Sequence, residues 1–381
     1  MLVPIKPLYH LQLIPKTVNS KLAHPWNESS FYRNGRDALI SGLLNFNLKK
    51  GSKIIVPAYI CSSVTDHLKA FGYNVILIDI NKELLLPIND IKKEIIKKNI
   101  KAIILIDYFG FLSAQNIEIA KKIKENHSDV IIISDRCHSA ISCRNLNHDN
   151  IFFDMIMFSF RKSIPCHTGG ALFPSTKRHN EVKFNTPNSQ FFLFLMKNYF
   201  EKIILSIGWP NINSQHLRNF FSKIFNNFFL SVTEQYTAFS VKPKNLMLPK
   251  ILYNQLANQS YLMKIKNLRL NNYYHLKKKI NEVSINMPIE IGKLSAAPQT
   301  LPILDATGTL MDHLQKNGIG AYSWPNKEIP KEVAKNKKMY KNSNYFNKNI
   351  ICLPIHQSID NKHILKIGEV IDTWHAAKHE S

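Results

Sequence analysis

Short apolar segments alternate with amphipathic ones from residue 31 to residue 174. The apolar segments, such as 53–57 and 102–107, are rich in isoleucine and valine and predict buried strands, whereas the segments between them have helical periodicity. Alternation of this kind over ~140 residues indicates a largely parallel α/β sheet with helices on both faces. Such sheets bind their ligands at the carboxyl ends of the strands.

The segment 155–174 interrupts this pattern. A buried strand is predicted to end at Ser159, a polar turn with Lys162 follows, and Gly169 and Gly170 lead into a second strand. A lysine at the end of a core strand is unusual, because an unpaired ammonium group is costly to bury. A solvated lysine in a turn is one interpretation, and a lysine that forms a Schiff base is the other.

Several reactive or aromatic side chains are expected at the same edge of the sheet. Each of them follows a predicted strand, and the carboxyl ends of parallel strands meet at one edge. These residues are Tyr59, Tyr108, Asp135, His138, Ser159 and Lys162.

A glycine turn at Gly35 opens the first predicted helix. Free backbone N–H groups at a helix start bind phosphate well, and the side chain of Arg36 would reinforce an anion site there. An ordinary capped helix is the alternative interpretation of this segment.

The length of 381 residues exceeds what one hydrophobic core usually serves, so we expect two domains. The first, 1–255, is a large α/β domain that includes a phenylalanine-rich helical insertion at about 185–235. The second, 256–381, contains most of a long connecting helix, predicted over 252–280, and a smaller C-terminal α+β domain.

The chain carries 50 lysine and arginine residues against 27 acidic ones, a net charge of +23. This excess favours phosphate-bearing ligands, nucleic acid or an anionic membrane surface, although a codon bias explains the scattered lysines equally well. The five cysteines lack the spacing of a disulfide framework or a zinc site, which favours a reducing cytoplasm. Neither a signal peptide nor a membrane-spanning segment is predicted.

One cofactor, pyridoxal 5′-phosphate (PLP), needs the strand-end residues together. Lys162 supplies the amine for a Schiff base, and Asp135 supplies a carboxylate for the ring nitrogen. Tyr59 is a candidate ring neighbour, while His138 either bonds the phenolic oxygen or stacks on the ring. The candidates for the phosphate cradle are Gly35, Arg36, Asp37 and Ser159.

The chain resembles the DegT/DnrJ/EryC1/StrS family of PLP-dependent sugar aminotransferases, which have the aspartate-aminotransferase fold (fold type I). The resemblance extends from about residue 31 to residue 374. It rests on the segments 35–39, 53–58, 108–110, 134–138, 158–162, 269–273 and 353–356.

The resemblance implies a mainly parallel seven-stranded sheet in the large domain and a homodimer with shared active sites. It implies that Lys162 binds the cofactor and shuttles the proton, that Asp135 pairs with the pyridine nitrogen, and that His138 lies by the ring. It also implies that Ser159 and the Gly35-Arg36 turn bind the phosphate. Family members usually transfer an amino group from glutamate to a keto carbon of a nucleotide-linked sugar. A related branch with histidine in place of the lysine dehydrates instead, so Lys162 favours transamination.

Some positions depart from the family pattern. Arg36 stands where a small or hydroxyl residue is common, and Cys61, or else Tyr59, stands where a bulky ring-stacking side chain is common. A motif that reaches the cofactor of the neighbouring subunit is reduced to a segment with Lys244 and Asn245. The candidates for substrate binding are Tyr108, Trp324 and His356.

The leading hypothesis is therefore a cytoplasmic PLP-dependent aminotransferase for a nucleotide-linked keto sugar, in polysaccharide or natural-product biosynthesis. Two alternatives stay open. The first is a PLP enzyme of the same fold whose phenylalanine-rich insertion admits a hydrophobic or carrier-bound substrate, with peripheral membrane contact through 190–230. The second is a non-catalytic basic binding protein on this fold. No nucleic-acid partner is expected.

Overall fold

The computed structural model describes residues 1–7, 21–142, 150–166, 168–174, 248–289 and 297–379, together with positions 184, 185, 196 and 199. Its largest feature is one seven-stranded sheet. The strands are β1 (Ser30–Tyr32), β2 (Lys53–Pro57), β3 (Asn74–Ile78), β4 (Ile100–Ile106), β5 (Ile131–Asp135), β6 (Met155–Ser159) and β7 (Gly170–Phe173).

The strands follow the order β1-β7-β6-β5-β4-β2-β3 across the sheet. Strands β3, β2, β4, β5 and β6 run parallel to one another, and β7 is antiparallel to both of its neighbours. Every residue of β5 and β6 is buried. Parallel strands need cover on both faces, which is why β5 and β6 are apolar runs rather than alternating ones.

Helices connect consecutive parallel strands and cover the sheet. Their apolar residues recur at helical spacing and face the strands, for example Ile91 and Ile95 of one helix. The helices of this part are α1 (Gly35–Asn45), α2 (Ser62–Ala70), α3 (Ile88–Lys98) and α4 (Ala114–Lys124). The predicted fold class, an α/β protein with a large and mainly parallel seven-stranded sheet, is confirmed.

The C-terminal part is smaller and mixes helices with one antiparallel strand pair. A long helix connects it to the sheet. In the strand pair, Thr300 lies opposite Pro354 at one end and Leu304 lies opposite Ile350 at the other. Its elements are α5 (Lys250–Ala257), α6 (Gln259–Glu282), β8 (Thr300–Leu304), α7 (Leu310–Lys316), α8 (Lys331–Lys335), α9 (Lys341–Asn349), β9 (Ile350–Pro354) and α10 (Asn361–His379). The predicted smaller α+β part is thereby observed.

The first residues of the chain lie against this C-terminal part rather than against the large sheet. The backbone N–H of Val3 donates to the carbonyl of Gly318 at 2.9 Å, and the N–H of Gly320 donates to the carbonyl of Val3 at 2.8 Å. Val3 is fully buried. The predicted division of the chain at residue 255 stays a prediction.

Three predictions fall wholly or largely outside the described residues: the phenylalanine-rich insertion at 185–235, the membrane contact through 190–230, and the contact of Lys244 and Asn245 with the partner subunit. Within the described ranges, no helix is both long enough and apolar enough to cross a membrane.

Candidate active site

Two neighbouring parallel strands bring Asp135 and the lysine turn to one edge of the sheet. Asp135 ends β5, and β6 ends at Ser159, directly before a 3-10 turn over Phe160–Lys162. The positive charge of Lys162 helps to lower the pKa of His138, after burial as the larger cause. Lys162, Asp135 and His138 therefore share the carboxyl edge that the strand pattern predicted.

The lysine turn is closed by backbone hydrogen bonds on both sides. The carbonyl of Phe160 accepts from the N–H groups of Ser163 at 2.9 Å and of Ile164 at 2.7 Å. On the other side, the N–H of Phe160 donates to the carbonyl of Gly169 at 3.0 Å. These bonds give Lys162 a defined backbone position at the end of a buried strand.

Gly170 allows the start of helix α1 to approach the lysine turn. A Cβ atom at this position would lie 2.4 Å from the carbonyl carbon of Asn34 and 2.6 Å from the nitrogen of Gly35. No residue other than glycine fits such an approach of backbone to backbone. The glycine pair noted in the sequence therefore places the first turn of α1 beside β6.

Gly35 itself lies between two strand ends. A Cβ atom there would come within 2.9 Å of the Cys137 sulfur and 3.3 Å of the Phe158 carbonyl oxygen. The side chain of Asn34 caps α1 by accepting from the N–H of Asp37 at 3.0 Å. The first N–H groups of a helix have no partner inside the helix, so this end of α1 carries positive potential at the edge of the sheet.

Arginine side chains add positive charge at the same end of α1. Burial lowers the pKa of Arg36, and the nearby guanidinium of Arg161 lowers it further. An anion bound near these side chains would offset their repulsion. The buried carboxylate of Asp37 already opposes it in part, because its charge raises the pKa of Arg36. One oxygen of this carboxylate also accepts from Nε of Arg33 at 3.2 Å, so Asp37 stabilises the base of the helix.

The carboxylate of Asp135 is buried and oriented by the backbone. Its Oδ1 accepts from the N–H of Cys137 at 2.9 Å. The pKa of the Cys137 thiol is raised well above its usual value by burial and then by the charge of Asp135. The thiol is therefore protonated at neutral pH, and the negative charge at this point of the edge belongs to the carboxylate.

A buried ion pair lies on the neighbouring strand end. Nε of Arg136 donates to Oδ2 of Asp107 at 3.1 Å and to Oγ of Ser134 at 3.2 Å. The Asp107 carboxylate also accepts from Nδ2 of Asn116 at 3.1 Å. These contacts join the ends of β4 and β5 and so support the backbone that carries Asp135.

His138 lies on the edge as a neutral ring. The backbone N–H of Phe109 donates to its Nδ1 at 3.1 Å, and burial lowers its pKa well below the ordinary value. The ring of Trp324 packs edge-on against it with the centroids 5.1 Å apart. Both roles considered for His138, a hydrogen bond to the phenolic oxygen and stacking on the ring, stay predictions, and the bond at Nδ1 means that the first would use Nε2.

Aromatic side chains from both parts of the chain close one side of the edge. The ring of Tyr59 is fully buried, lies 5.4 Å from that of Tyr108, and meets Trp324 edge-on at 5.2 Å. The hydroxyl of Tyr108 donates to the carbonyl of Tyr59 at 2.7 Å, and the hydroxyl of Tyr59 donates to the carbonyl of Trp324. Cys61 is only partly buried, and its thiol donates to Oε2 of Glu328 at 2.8 Å.

His356 has a different setting from the other candidates. Its Nε2 lies 3.0 Å from the carbonyl oxygen of Pro4, and its Nδ1 accepts from the N–H of Ser358 at 3.4 Å. These two contacts hold the N-terminal segment against the C-terminal part. A role of His356 toward the substrate stays a prediction.

The residues present fit PLP by their chemistry. Lys162 offers a primary amine, Asp135 a buried carboxylate, and the start of α1 with Arg36 a positive end of a helix. This helix start lies so close to Cys137 and Phe158 only because Gly35 has no Cβ. Two contributors were not singled out from the sequence: Phe109, whose N–H binds His138, and Arg161, which lies near Arg36. Arg161 directly precedes Lys162, so its position alone could have indicated it.

The same fold occurs in solved aminotransferases and in a solved dehydratase. A DegT/DnrJ/EryC1/StrS aminotransferase from Brucella abortus is 17% identical, with a TM-score of 0.63 over 93% of this chain and 86% of that chain. Spr1654 from Streptococcus pneumoniae, a provisionally assigned sugar aminotransferase solved in its PMP form, is 12% identical, with a TM-score of 0.67 over 99% and 98% of the two chains. GDP-4-keto-6-deoxy-D-mannose-3-dehydratase from E. coli, solved with hydrated PLP, is 18% identical, with a TM-score of 0.57 over 90% and 87%. A comparison with curated protein sequences finds no match.

The fold and the edge residues together define the class of PLP-dependent enzymes of fold type I. More narrowly, the model of the DegT/DnrJ/EryC1/StrS aminotransferase family matches residues 31–182, the segment that carries Gly35, Asp135, His138, Ser159 and Lys162. The resemblance inferred from the sequence is therefore confirmed for residues 31–182. The predicted enzyme class, a PLP-dependent aminotransferase, and the predicted cofactor are confirmed with it.

Proposed function

We propose that this protein transfers an amino group, with glutamate as the donor, to a keto carbon of a nucleotide-linked sugar. The observation that carries the proposal is the placement of Lys162 and Asp135 at the ends of the paired parallel strands β6 and β5. A primary amine and a buried carboxylate at this edge are the two groups that PLP-dependent amino transfer requires.

The roles of the individual residues follow from their positions. Bound PLP withdraws electrons from the carbon beside the amine and so makes proton transfer there feasible. Asp135 holds the proton on the ring nitrogen, and the start of α1 with Arg36 and Ser159 binds the phosphate. Nζ of Lys162 would hold the cofactor and would move the proton at the substrate carbon.

Lys162 supports transamination over dehydration. The fold alone does not separate the two, because a PLP-containing dehydratase is among the structures of similar fold. Lys162, in the turn that follows β6, supplies a primary amine that can return a proton to the carbon that gains the amino group. The net charge of +23 is in keeping with a diphosphate-linked acceptor. The cytoplasmic location and the homodimer expected from the sequence are part of the same proposal.

The test is a screen of nucleotide-linked keto sugars with glutamate as the donor, followed by mass spectrometry of the aminated product. The Asp135→Asn variant keeps an oxygen acceptor for the Cys137 N–H but removes the charge, so we expect at least a ~10-fold loss of turnover. Asp305→Asn is a matched control, because Asp305 also accepts backbone N–H groups, those of Thr307 and Leu310, at the start of α7. Amination of a carrier-bound or apolar ketone, with no activity on any sugar, would redirect the proposal to the alternative substrate class.

A further inference from the structure

Arg269 is a fully buried arginine in the middle of helix α6. It lies on the face of the helix that also carries Ile265, Tyr273 and Leu276, all buried. Burial lowers its pKa to about 10, so the side chain stays protonated at neutral pH. Its guanidinium donates hydrogen bonds to neutral oxygens, those of the Gln357 side chain and of backbone carbonyls. A buried charge of this kind is costly and persists only where hydrogen bonds satisfy it.

One arm of the guanidinium binds the lysine turn. Nη2 of Arg269 donates to the carbonyl of Ser163 at 2.8 Å, and Ser163 directly follows Lys162. Nε2 of Gln357 donates to the same carbonyl at 3.2 Å. Oε1 of Gln357 in turn accepts from Nε and Nη2 of Arg269 at 3.0 and 2.8 Å. The carbonyl of Ser163, the residue after Lys162, thus accepts from one donor on α6 and from one in the loop after β9.

The other arm reaches the segment behind His138. Nη1 of Arg269 donates to the carbonyl of Pro298 at 3.2 Å and makes a longer contact with that of Gln299 at 3.4 Å. The N–H of Gln299 donates to the carbonyl of Phe109 at 2.7 Å, and the N–H of Phe109 binds His138. A single side chain therefore links the lysine turn to the backbone that orients the histidine.

We propose that Arg269, with Gln357 as its partner, is a positioning residue that fixes the lysine turn relative to His138 and to the C-terminal part. The inference rests on the proposed function, because positioning matters only if Lys162 must meet the cofactor. A reacting group held within about 0.5 Å of its productive position reacts far faster than a mobile one. The planar fork of arginine suits this role, since its donors lie at fixed angles and satisfy carbonyls on two sides at once.

Variants of four kinds separate positioning from simple stability. Arg269→Met removes both arms, Arg269→Lys keeps the charge but has one rotating ammonium, and Gln357→Met removes the second donor to Ser163. Asn272→Ala is the matched control. Asn272 lies one turn further along α6, is also buried, and binds the carbonyls of Ile355, His356 and Ile359. These bonds hold the loop that carries Gln357, but they do not reach Ser163.

The first measurement uses the cofactor-free protein and so does not depend on any activity. Hydrogen–deuterium exchange is followed at the N–H groups of Ser163 and Ile164, which close the lysine turn. We expect exchange at least about tenfold faster in Arg269→Met and Gln357→Met than in wild type, and a clearly smaller increase in Asn272→Ala, which acts only through the loop that carries Gln357. The exchange rate of Arg269→Lys is expected to lie between those of wild type and Arg269→Met.

The second measurement adds PLP, reduces with borohydride, and quantifies the fraction of cofactor attached to Lys162 by peptide mass spectrometry. The expected result is a fall of at least about tenfold in the rate of attachment for Arg269→Met, and a smaller fall for Arg269→Lys. If wild type itself shows no attachment at Lys162, the proposed function fails, while the exchange measurement still reports on the anchoring.

Two results would overturn the inference. One is an exchange rate at the lysine turn that is the same in Arg269→Met as in Asn272→Ala. The other is faster exchange combined with wild-type attachment at Lys162, which would make Arg269 a structural residue only. Should Arg269→Met fail to fold, Gln357→Met decides by the same two criteria.

Discussion

The backbone N–H of Phe109 donates a hydrogen bond to Nδ1 of His138 at 3.1 Å. Nδ1 must keep a lone pair to accept it, so the single proton of the neutral ring lies on Nε2. Phe109 has the uncommon backbone angles φ 57° and ψ 12°, and its carbonyl accepts from the N–H of Gln299. The tautomer of His138 is therefore set by a backbone conformation.

This arrangement predicts that His138 does not titrate in the neutral range. Burial and the charge of Lys162 both lower its pKa, and protonation of Nδ1 would break the bond to Phe109. Ring nitrogen NMR is expected to show the Nε2–H form throughout about pH 5.5 to 8, a range in which an ordinary histidine changes charge. The His138→Gln variant assigns the signal. A proton on Nδ1 at pH 7 would contradict the arrangement.

The fit of Gly35 predicts a specific loss and a specific rescue. Gly35→Ala places a methyl group 2.9 Å from the Cys137 sulfur, so the helix start or the strand end must shift, at a cost of about 1–3 kcal/mol. We expect weaker PLP binding, measured by titration of the visible absorbance. The double variant Gly35→Ala/Cys137→Ala removes the sulfur and should recover part of the affinity. Equal affinity in wild type and Gly35→Ala would show that this contact does not shape the site.

The ion pair of Arg136 and Asp107 predicts a large effect on stability. Both side chains are buried, and Arg136→Met leaves the Asp107 carboxylate without its cation, which typically costs about 3–5 kcal/mol in free energy of unfolding. Urea denaturation measures the change. Lys101→Met is the control, because the pair Lys101–Asp129 is exposed and contributes at most about 1 kcal/mol. Similar losses of unfolding free energy in Arg136→Met and Lys101→Met would contradict the stabilising role of the buried pair.

His67 predicts how the surroundings of Arg36 respond to pH. Burial, then Arg36 and Arg33, lower its pKa from 6.5 to about 4. The unfolded chain therefore takes up a proton near pH 6.5 that the folded protein refuses until about pH 4. The contribution of His67 to stability is full above pH 6.5 and is lost as the pH falls through this window.

An anion bound beside Arg36 should raise the pKa of His67, because it offsets the positive charge that disfavours protonation. The measurement is NMR titration of His67 in the cofactor-free protein with and without inorganic phosphate. The Arg36→Gln variant is the control, in which phosphate should have a smaller effect. An unchanged pKa with phosphate present would indicate that Arg36 does not belong to an anion site.

Much of the sheet could be predicted from the sequence because its strands are apolar runs. Strand β2 has the predicted bounds, Lys53–Pro57. Strand β4 begins two residues earlier than predicted, at Ile100, because Asn99 ends α3 in a left-handed conformation with φ 51°. The helix predicted over 252–280 is in fact two helices. The break falls at Asn258, whose side chain accepts from the N–H of Tyr261 and so starts a new helix.

The edge residues were predictable because each ends a strand or follows one within three residues. The contacts that orient them were less so, since they join segments that are far apart in sequence. Gln357 and Ser163 lie 88 and 106 residues from Arg269, and Trp324 lies 265 residues from Tyr59. A buried arginine could have been suspected from its spacing with Ile265, Tyr273 and Leu276, but its partners depend on the tertiary fold.

The most direct test of the account is the identity of the residue that binds PLP. The purified protein is supplied with PLP, reduced with borohydride, digested and analysed by peptide mass spectrometry, with Lys162→Ala treated in parallel. We expect one major adduct, on Lys162, accompanied by loss of the visible absorbance, and no adduct in the variant. A major adduct on another lysine, or equal labelling of wild type and Lys162→Ala, would contradict the assignment of this edge as the active site.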